Sequence, residues 1–182
     1  MSTLVSLIIL AMLLPFLYFI YEASIKGVPF LPTPMKAAKK MLKLAKIKKG
    51  DIVIDIGCGD GRLVILADKL YQANAIGFEL SPPIYFYAKL LNFFKKNETN
   101  AKILFADSRK VDLSKADAIV MYMLPKPLRE FWKDKLEEDL KPTARVVSYA
   151  FSIQGWNHAH KEESIGEENI GPIYVYEMDK IY

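Results

Sequence analysis

From Asp51 onward the apolar positions fall into short runs separated by polar turns, and the runs switch between two periods. The stretches 52–57 (IVIDIG), 75–79, 101–105, 116–122, 144–151 and 173–178 are brief and rich in β-branched or aromatic residues, which predicts strands. Between them, 61–71, 82 to about 96 and 127–140 carry apolar residues at helical spacing, and Pro82-Pro83 open the second of these where a missing N–H costs nothing. Strands alternating with helices predict an α/β fold, doubly wound and Rossmann-like, with a mostly parallel sheet and right-handed crossovers. The polar stretch 154–171 has no assignable period.

The N-terminal part follows another pattern. Leu4–Tyr21 (LVSLIILAMLLPFLYFIY) contains no charged residue. As a helix it is ~27 Å long, close to the ~30 Å hydrocarbon core of a bilayer, and this predicts a transmembrane anchor. No basic residue precedes the run, which argues against a cleaved signal peptide. Residues 27–34 (GVPFLPTP) hold three prolines and read as an extended loop. Residues 35–46 (MKAAKKMLKLAK) place Met35, Ala38, Leu42 and Ala45 on one helical face, the pattern of an amphipathic helix.

Composition changes this picture at two points. Apolar residues make up 52% and charged residues 25% of the 182-residue chain, which excludes a disordered or collagen-like protein. The single cysteine, Cys58, excludes an internal disulfide. The net charge of +4 conceals a split: residues 26–50 hold eight lysines and no acid, and the remainder is net acidic by four. Lysines directly after an apolar span predict, by the positive-inside rule, a single-pass membrane protein whose C-terminal domain faces the cytoplasm. A nucleic-acid patch is the competing reading of the same charges.

The chemistry concentrates at the end of the first strand. Asp55-Ile56-Gly57-Cys58-Gly59-Asp60-Gly61 joins that strand to its helix, and ligands in such sheets bind at the carboxyl ends of the strands. Gly57, Gly59 and Gly61 are spaced G-x-G-x-G, unlike the G-x-G-x-x-G of dinucleotide sites. Asp55 and Asp60 flank the loop and would repel a pyrophosphate, whereas a cationic, phosphate-free ligand such as S-adenosylmethionine suits them. Glu79 ends the second strand, 18 residues past Gly61, placed to accept from two ribose hydroxyls, with Leu80 beside it. Asp107 follows the third strand, placed to accept from an adenine amino group. The H-x-H of His158 and His160 finds no further ligands, so no metal is expected.

This order of glycine loop, acid and acid resembles the class I, seven-strand S-adenosylmethionine-dependent methyltransferases. Residues 28–34 (VPFLPTP), 55–62 (DIGCGDGR), 77–82 (GFELSP) and 144–147 (ARVV) are similar to the lysine N-methyltransferases of the ATP synthase c-subunit and the adenine nucleotide translocase. Ser81-Pro82 stands where that family usually has Asn-Pro, and the chain begins at the apolar segment without an Arg- and Ser-rich presequence, so a mitochondrial location is not expected. The resemblance implies an anchor at 1–25, a basic linker and amphipathic helix at 26–50, and a methyltransferase domain at 51–182. It further implies methyl transfer from S-adenosylmethionine to lysine side chains of a membrane or membrane-near protein, with no nucleic-acid partner. A small-molecule or lipid methyltransferase and a non-catalytic cofactor-binding protein remain open as alternatives. In related folds the segment after strand four faces the methyl group, here Met121-Tyr122-Met123-Leu124-Pro125, with Tyr122 the candidate to orient the amine or else plain core. The proline loop would fold over the cofactor, with Thr33 donating to its carboxylate, or serve as a stiff linker.

Overall fold

A computed structural model of the chain describes residues 2–26, 30–94, 99–163 and 170–182. The chain forms two units, Met1–Phe30 and Leu31–Tyr182. The first is helix α1 (Ser2–Lys26), a helix where the apolar run predicts one. Crossing a bilayer takes about 20 consecutive apolar residues over ~30 Å, and among the described residues no helix is long and apolar enough to do so. The expected transmembrane anchor, and with it the single-pass location with a cytoplasm-facing catalytic domain, is corrected accordingly.

In the second unit, Leu31–Pro34 runs without regular structure into α2 (Met35–Leu44). The predicted loop also includes Gly27, Val28 and Pro29, which lie outside the described residues. The apolar face of α2 buries Ala37, Ala38, Met41 and Leu42 completely, and Lys36, Lys39 and Lys43 point to solvent. The helix packs on α3, β5 and β7. The lysine-rich segment thus has a local cause: it is the polar face of a helix that helps to close the core.

The sheet has seven strands: β1 (Ile52–Ile56), β2 (Asn74–Glu79), β3 (Lys102–Phe105), β4 (Ala118–Met121), β5 (Arg145–Tyr149), β6 (His160–Glu162) and β7 (Ile173–Glu177), in the order β3-β2-β1-β4-β5-β7-β6. Strands β1 to β5 are parallel, and β7 runs antiparallel to both β5 and β6. The central strands β1 and β4 are buried almost throughout, as continuous apolar runs in a parallel sheet should be. The strand β6 escapes sequence reading because it is three polar residues long and pairs on one side only, a common form for an edge strand.

Helix α3 (Arg62–Tyr71) follows β1 and α4 (Pro82–Phe94) follows β2; the predicted extension of α4 to Lys96 lies outside the described residues. After β4, α5 (Pro125–Pro127), a π-helical turn (Leu128–Trp132) and α6 (Lys133–Asp139) follow in immediate succession, filling the predicted 127–140 helix. The connection order reverses at β1, whose neighbours are β2 on one side and β4 on the other. That reversal opens the crevice where ligands of such sheets bind.

Candidate functional site

The glycine loop leaves β1 at this crevice. Gly57, Gly59 and Gly61 have φ of +91°, +57° and +80°, conformations that residues with a Cβ seldom adopt. Gly61, in the left-handed region, begins α3. The loop's amides point inward: those of Gly57 and Cys58 both donate to the Phe78 carbonyl at 2.9 Å, Gly61 donates to the Cys58 carbonyl, and Gly59 donates to Glu79 Oε2 at 3.0 Å. A phosphate cradle needs such amides free to face the ligand, and here they are engaged within the fold.

Cys58 is buried against β2. A Cβ on Gly77 would lie 2.6 Å from the Cys58 Cβ and 2.7 Å from its sulfur. Burial and the neighbouring Asp55 and Glu79 charges push the thiol far above its usual range, so it stays protonated. Its role is packing. Replacing Gly77→Ala is expected to lower stability by about 1–3 kcal/mol through overpacking against a rigid backbone position; urea unfolding measures it, and an unchanged midpoint would show that the sheet absorbs the methyl group.

The acids occupy distinct environments. Asp55 lies at the end of β1, in register with Gly77 and Val120, and is 2% exposed. No hydrogen-bond donor or basic side chain meets its carboxylate among the described residues, and burial, then Glu79, then Asp60 hold its pKa well above the ordinary value. Glu79 is buried and accepts from two backbone amides, Gly59 at Oε2 and Ser81 at Oε1 (2.7 Å). These two bonds orient the Glu79 carboxylate at the end of β2. Ser81, beside it, has a buried hydroxyl with no partner.

Asp60 and Asp107, read from sequence as acids facing a ligand, are both paired. Arg62 binds Asp60 through Nε (2.9 Å) and Nη2 (2.5 Å). The same guanidinium donates from Nη1 to the Thr33 carbonyl at 2.7 Å. Arg62 therefore ties the proline segment ahead of α2 to the glycine loop, and this brings the buried Thr33 to the site by its backbone. Asp107 accepts from Arg109 Nε and Nη2, both at 2.8 Å, and the guanidinium holds its carboxyl below the usual range. An adenine amino group reaching Asp107 has to share it with Arg109. The acid that no donor or basic side chain meets is thus Asp55 among the described residues, a narrower set than the sequence suggested, because charge pairing within two residues is invisible to composition.

Across the loop stands the segment after β4. The Met123 methyl carbon lies 3.8 Å from the place a Gly57 Cβ would take. Tyr122 is half-buried, edge-on to Tyr149 with ring centroids 4.9 Å apart and stacked on Phe151 at 6.4 Å. Burial and Tyr149 raise the Tyr122 pKa, so its phenol is neutral. Tyr149 and Phe151 were not legible as site residues: they join Tyr122 only through the β4–β5 pairing. Leu80 is partly exposed beside Glu79.

These residues fit S-adenosylmethionine. A buried carboxylate without a donor calls for a cation, an oriented acid beside an orphaned hydroxyl suits a diol, and the engaged amides disfavour phosphate. Comparisons with known proteins agree. Residues 55–160, more than half of the chain, match the family model "ANTKMT methyltransferase domain". Over 132 residues the chain is 42% identical to a protein-lysine N-methyltransferase of Saccharolobus islandicus, a match that covers 71% of this chain and 81% of that protein. It is 31% identical over 149 residues to the human lysine N-methyltransferase of the ATP synthase c-subunit, covering 82% of this chain and 61% of the human protein, so it spans less than two thirds of that relative. The RNA methyltransferase of Salinibacter ruber, solved with S-adenosyl-L-homocysteine, superposes with a TM-score of 0.74 at 27% identity over 81% of this chain and 94% of that one. Together, sequence, sheet order and crevice establish that the chain belongs to the ANTKMT methyltransferase domain family and is an S-adenosylmethionine-dependent methyltransferase of the protein-lysine N-methyltransferase group.

Proposed function

We propose that the chain methylates lysine side chains of a partner protein, with Asp55, Gly57, Gly59, Gly61, Glu79, Leu80 and Asp107 holding the cofactor and Thr33 bordering it. The observation that carries this reading is the pairing of the unpartnered, buried Asp55 carboxylate with the uncharged wall of Tyr122, Met123, Leu124 and Pro125 at the same sheet edge. When bound, S-adenosylmethionine supplies a methyl group already activated on a sulfonium, which leaves positioning and desolvation to the protein.

Asp55 is the partner for the ammonium of the aminoacyl tail. Glu79, fixed by the Gly59 and Ser81 amides, accepts from the ribose. Asp107 accepts from the adenine amino group in competition with Arg109. A lysine attacks only as the neutral amine, and its unperturbed pKa is ~10.4. An apolar wall disfavours the ammonium and favours proton loss to solvent. Tyr122, as a neutral phenol, orients the amine through its hydroxyl and does not act as the base.

The test is incubation of the chain with methyl-labelled cofactor and a cell extract, followed by separation of protein, RNA, lipid and small metabolites. Label is expected in protein, on lysine by mass spectrometry, and Tyr122→Phe is expected to lower the rate roughly tenfold to a hundredfold by loss of one positioning hydrogen bond. A second reading, RNA as the acceptor, has the Salinibacter structure behind it; label in RNA alone would replace the first. Label confined to lipid or metabolites, or tight cofactor binding with no turnover on any fraction, would equally overturn it.

A further inference from the structure

Helix α4 is apolar on both sides. Apart from Lys89 and Asn92 it consists of proline, aliphatic and aromatic residues, yet only Ala88 is fully buried. A helix that is apolar all round belongs in a core. The outer face of α4 instead lies open: Phe86, Leu90 and Phe94 are 67%, 54% and 76% exposed, with Tyr87 exposed beside them. The edge strand β3, on which α4 packs, extends this surface with the exposed Leu104 and Phe105. The Tyr85 ring joins the two elements, its centroid 5.6 Å from that of Phe105. An aromatic residue carries ~150–250 Å² of surface, so these exposed residues present roughly 650 Å². The largest apolar patch of a monomeric soluble protein is ~300–600 Å².

We infer that α4, with the flanking Leu104 and Phe105 of β3, forms a two-fold interface with a second copy of this chain. Phe86, Leu90 and Phe94 stand four residues apart and make one ridge along the helix. A ridge of that kind packs into the groove beside the same ridge on another helix, so the face complements itself under a two-fold axis. Two such faces bury ~1,300 Å² together, inside the ~1,200–2,000 Å² typical of stable interfaces. Aromatic side chains with few charges are also the composition of an interface core. A bilayer surface suits the face less: helices that lie among headgroups are rich in Lys and Arg on their polar side, and in α4 Lys89 is the one basic residue. The proposed acceptor wall follows β4, three strand spacings from β3, or about 14 Å. A dimer through α4 therefore leaves that wall open on both copies.

Sedimentation velocity of the full chain, from nanomolar to micromolar concentration, tests this. A concentration-dependent dimer is expected. Phe86→Glu and Leu90→Glu place carboxylates from both copies within one apolar contact, and each is expected to weaken association by at least about tenfold. Both side chains are exposed, so affinity for S-adenosyl-L-homocysteine should not change. A chain that is monomeric at every concentration would overturn the dimer; flotation of that monomer with phosphatidylglycerol vesicles would assign the face to lipid instead. A dimer that persists in both variants would overturn it as well, since the contact then lies elsewhere in the chain. Should a variant fail to fold, amide hydrogen exchange of the wild-type chain decides the case. Residues 84–94 are expected to exchange more slowly at the dimer concentration than at the monomer concentration, and equal rates there would overturn the interface.

Discussion

Asp55→Asn is expected to abolish cofactor binding and to stabilise the ligand-free protein. The two effects have one cause. The Asp55 carboxylate is buried, without a donor, and next to Glu79, so its charge is costly until a cation arrives. Removing one partner of such a desolvated charge pair costs about 3 kcal/mol in the complex, which is more than a hundredfold in affinity at about 1.4 kcal/mol per factor of ten. In the ligand-free chain the same substitution removes the charge and its repulsion. The sign of the pH dependence follows. An unfolded Asp titrates near ~3.9, and the folded group titrates higher. Between those values the folded state binds more protons than the unfolded state, so stability is full below the unfolded pKa and falls as pH rises through the folded one. Asn carries no such proton, and the fall should vanish in the variant. At pH 8 the melting temperature of Asp55→Asn should exceed that of the wild type by at least about 2 °C, corresponding to ~1 kcal/mol in a chain of this size, with the gap closing toward pH 4. Thermal unfolding across that range and calorimetry with S-adenosylmethionine measure both halves. A variant that binds normally would remove Asp55 from the site.

Glu79→Ala should also abolish binding, but at the opposite cost to the fold. Its two oxygens accept the buried amides of Gly59 and Ser81 at 3.0 and 2.7 Å. Truncation leaves both donors unsatisfied, and each costs about 1–3 kcal/mol. A loss of roughly 2–6 kcal/mol is expected on that basis, a large share of the ~5–15 kcal/mol that holds a domain together. Glu79→Gln keeps one carbonyl acceptor and should recover about half of the loss without recovering binding. Urea unfolding of the three proteins, read beside their affinities, checks this. Wild-type stability in Glu79→Ala would mean that the Gly59 and Ser81 amides find other acceptors. Two acids that look equivalent in sequence are thus separated by what surrounds them: one stores repulsion for a ligand to relieve, and the other organises the loop.

Local pattern determined much of this protein. The alternation of apolar runs specifies the strands β1 to β5 and β7 and the helices that follow β1, β2 and β4, because the central strands of a parallel sheet are continuous apolar runs and their crossovers are usually helical. The G-x-G-x-G spacing and the acids at 55, 79 and 107 point to a cationic nucleoside for reasons of charge and backbone freedom that act within a few residues. Tertiary structure decided the rest. Charge pairing took Asp60 and Asp107 out of the free acids through Arg62 and Arg109. The lysine-rich segment at 35–44 proved to be a helix packed into the domain, since its small apolar face matches a surface that only the folded sheet provides. The apolar N-terminal run is a helix, yet no described helix meets the length and apolarity of a membrane span. The ring cluster of Tyr122, Tyr149 and Phe151 has no sequence signature, because its members come from two strands and meet through a left-handed alanine whose conformation is imposed by hydrogen bonds from distant residues. Periodicity, spacing and charge are properties of neighbours along the chain. Burial, pairing and pKa are properties of neighbours in space, and those exist only once the sheet has closed.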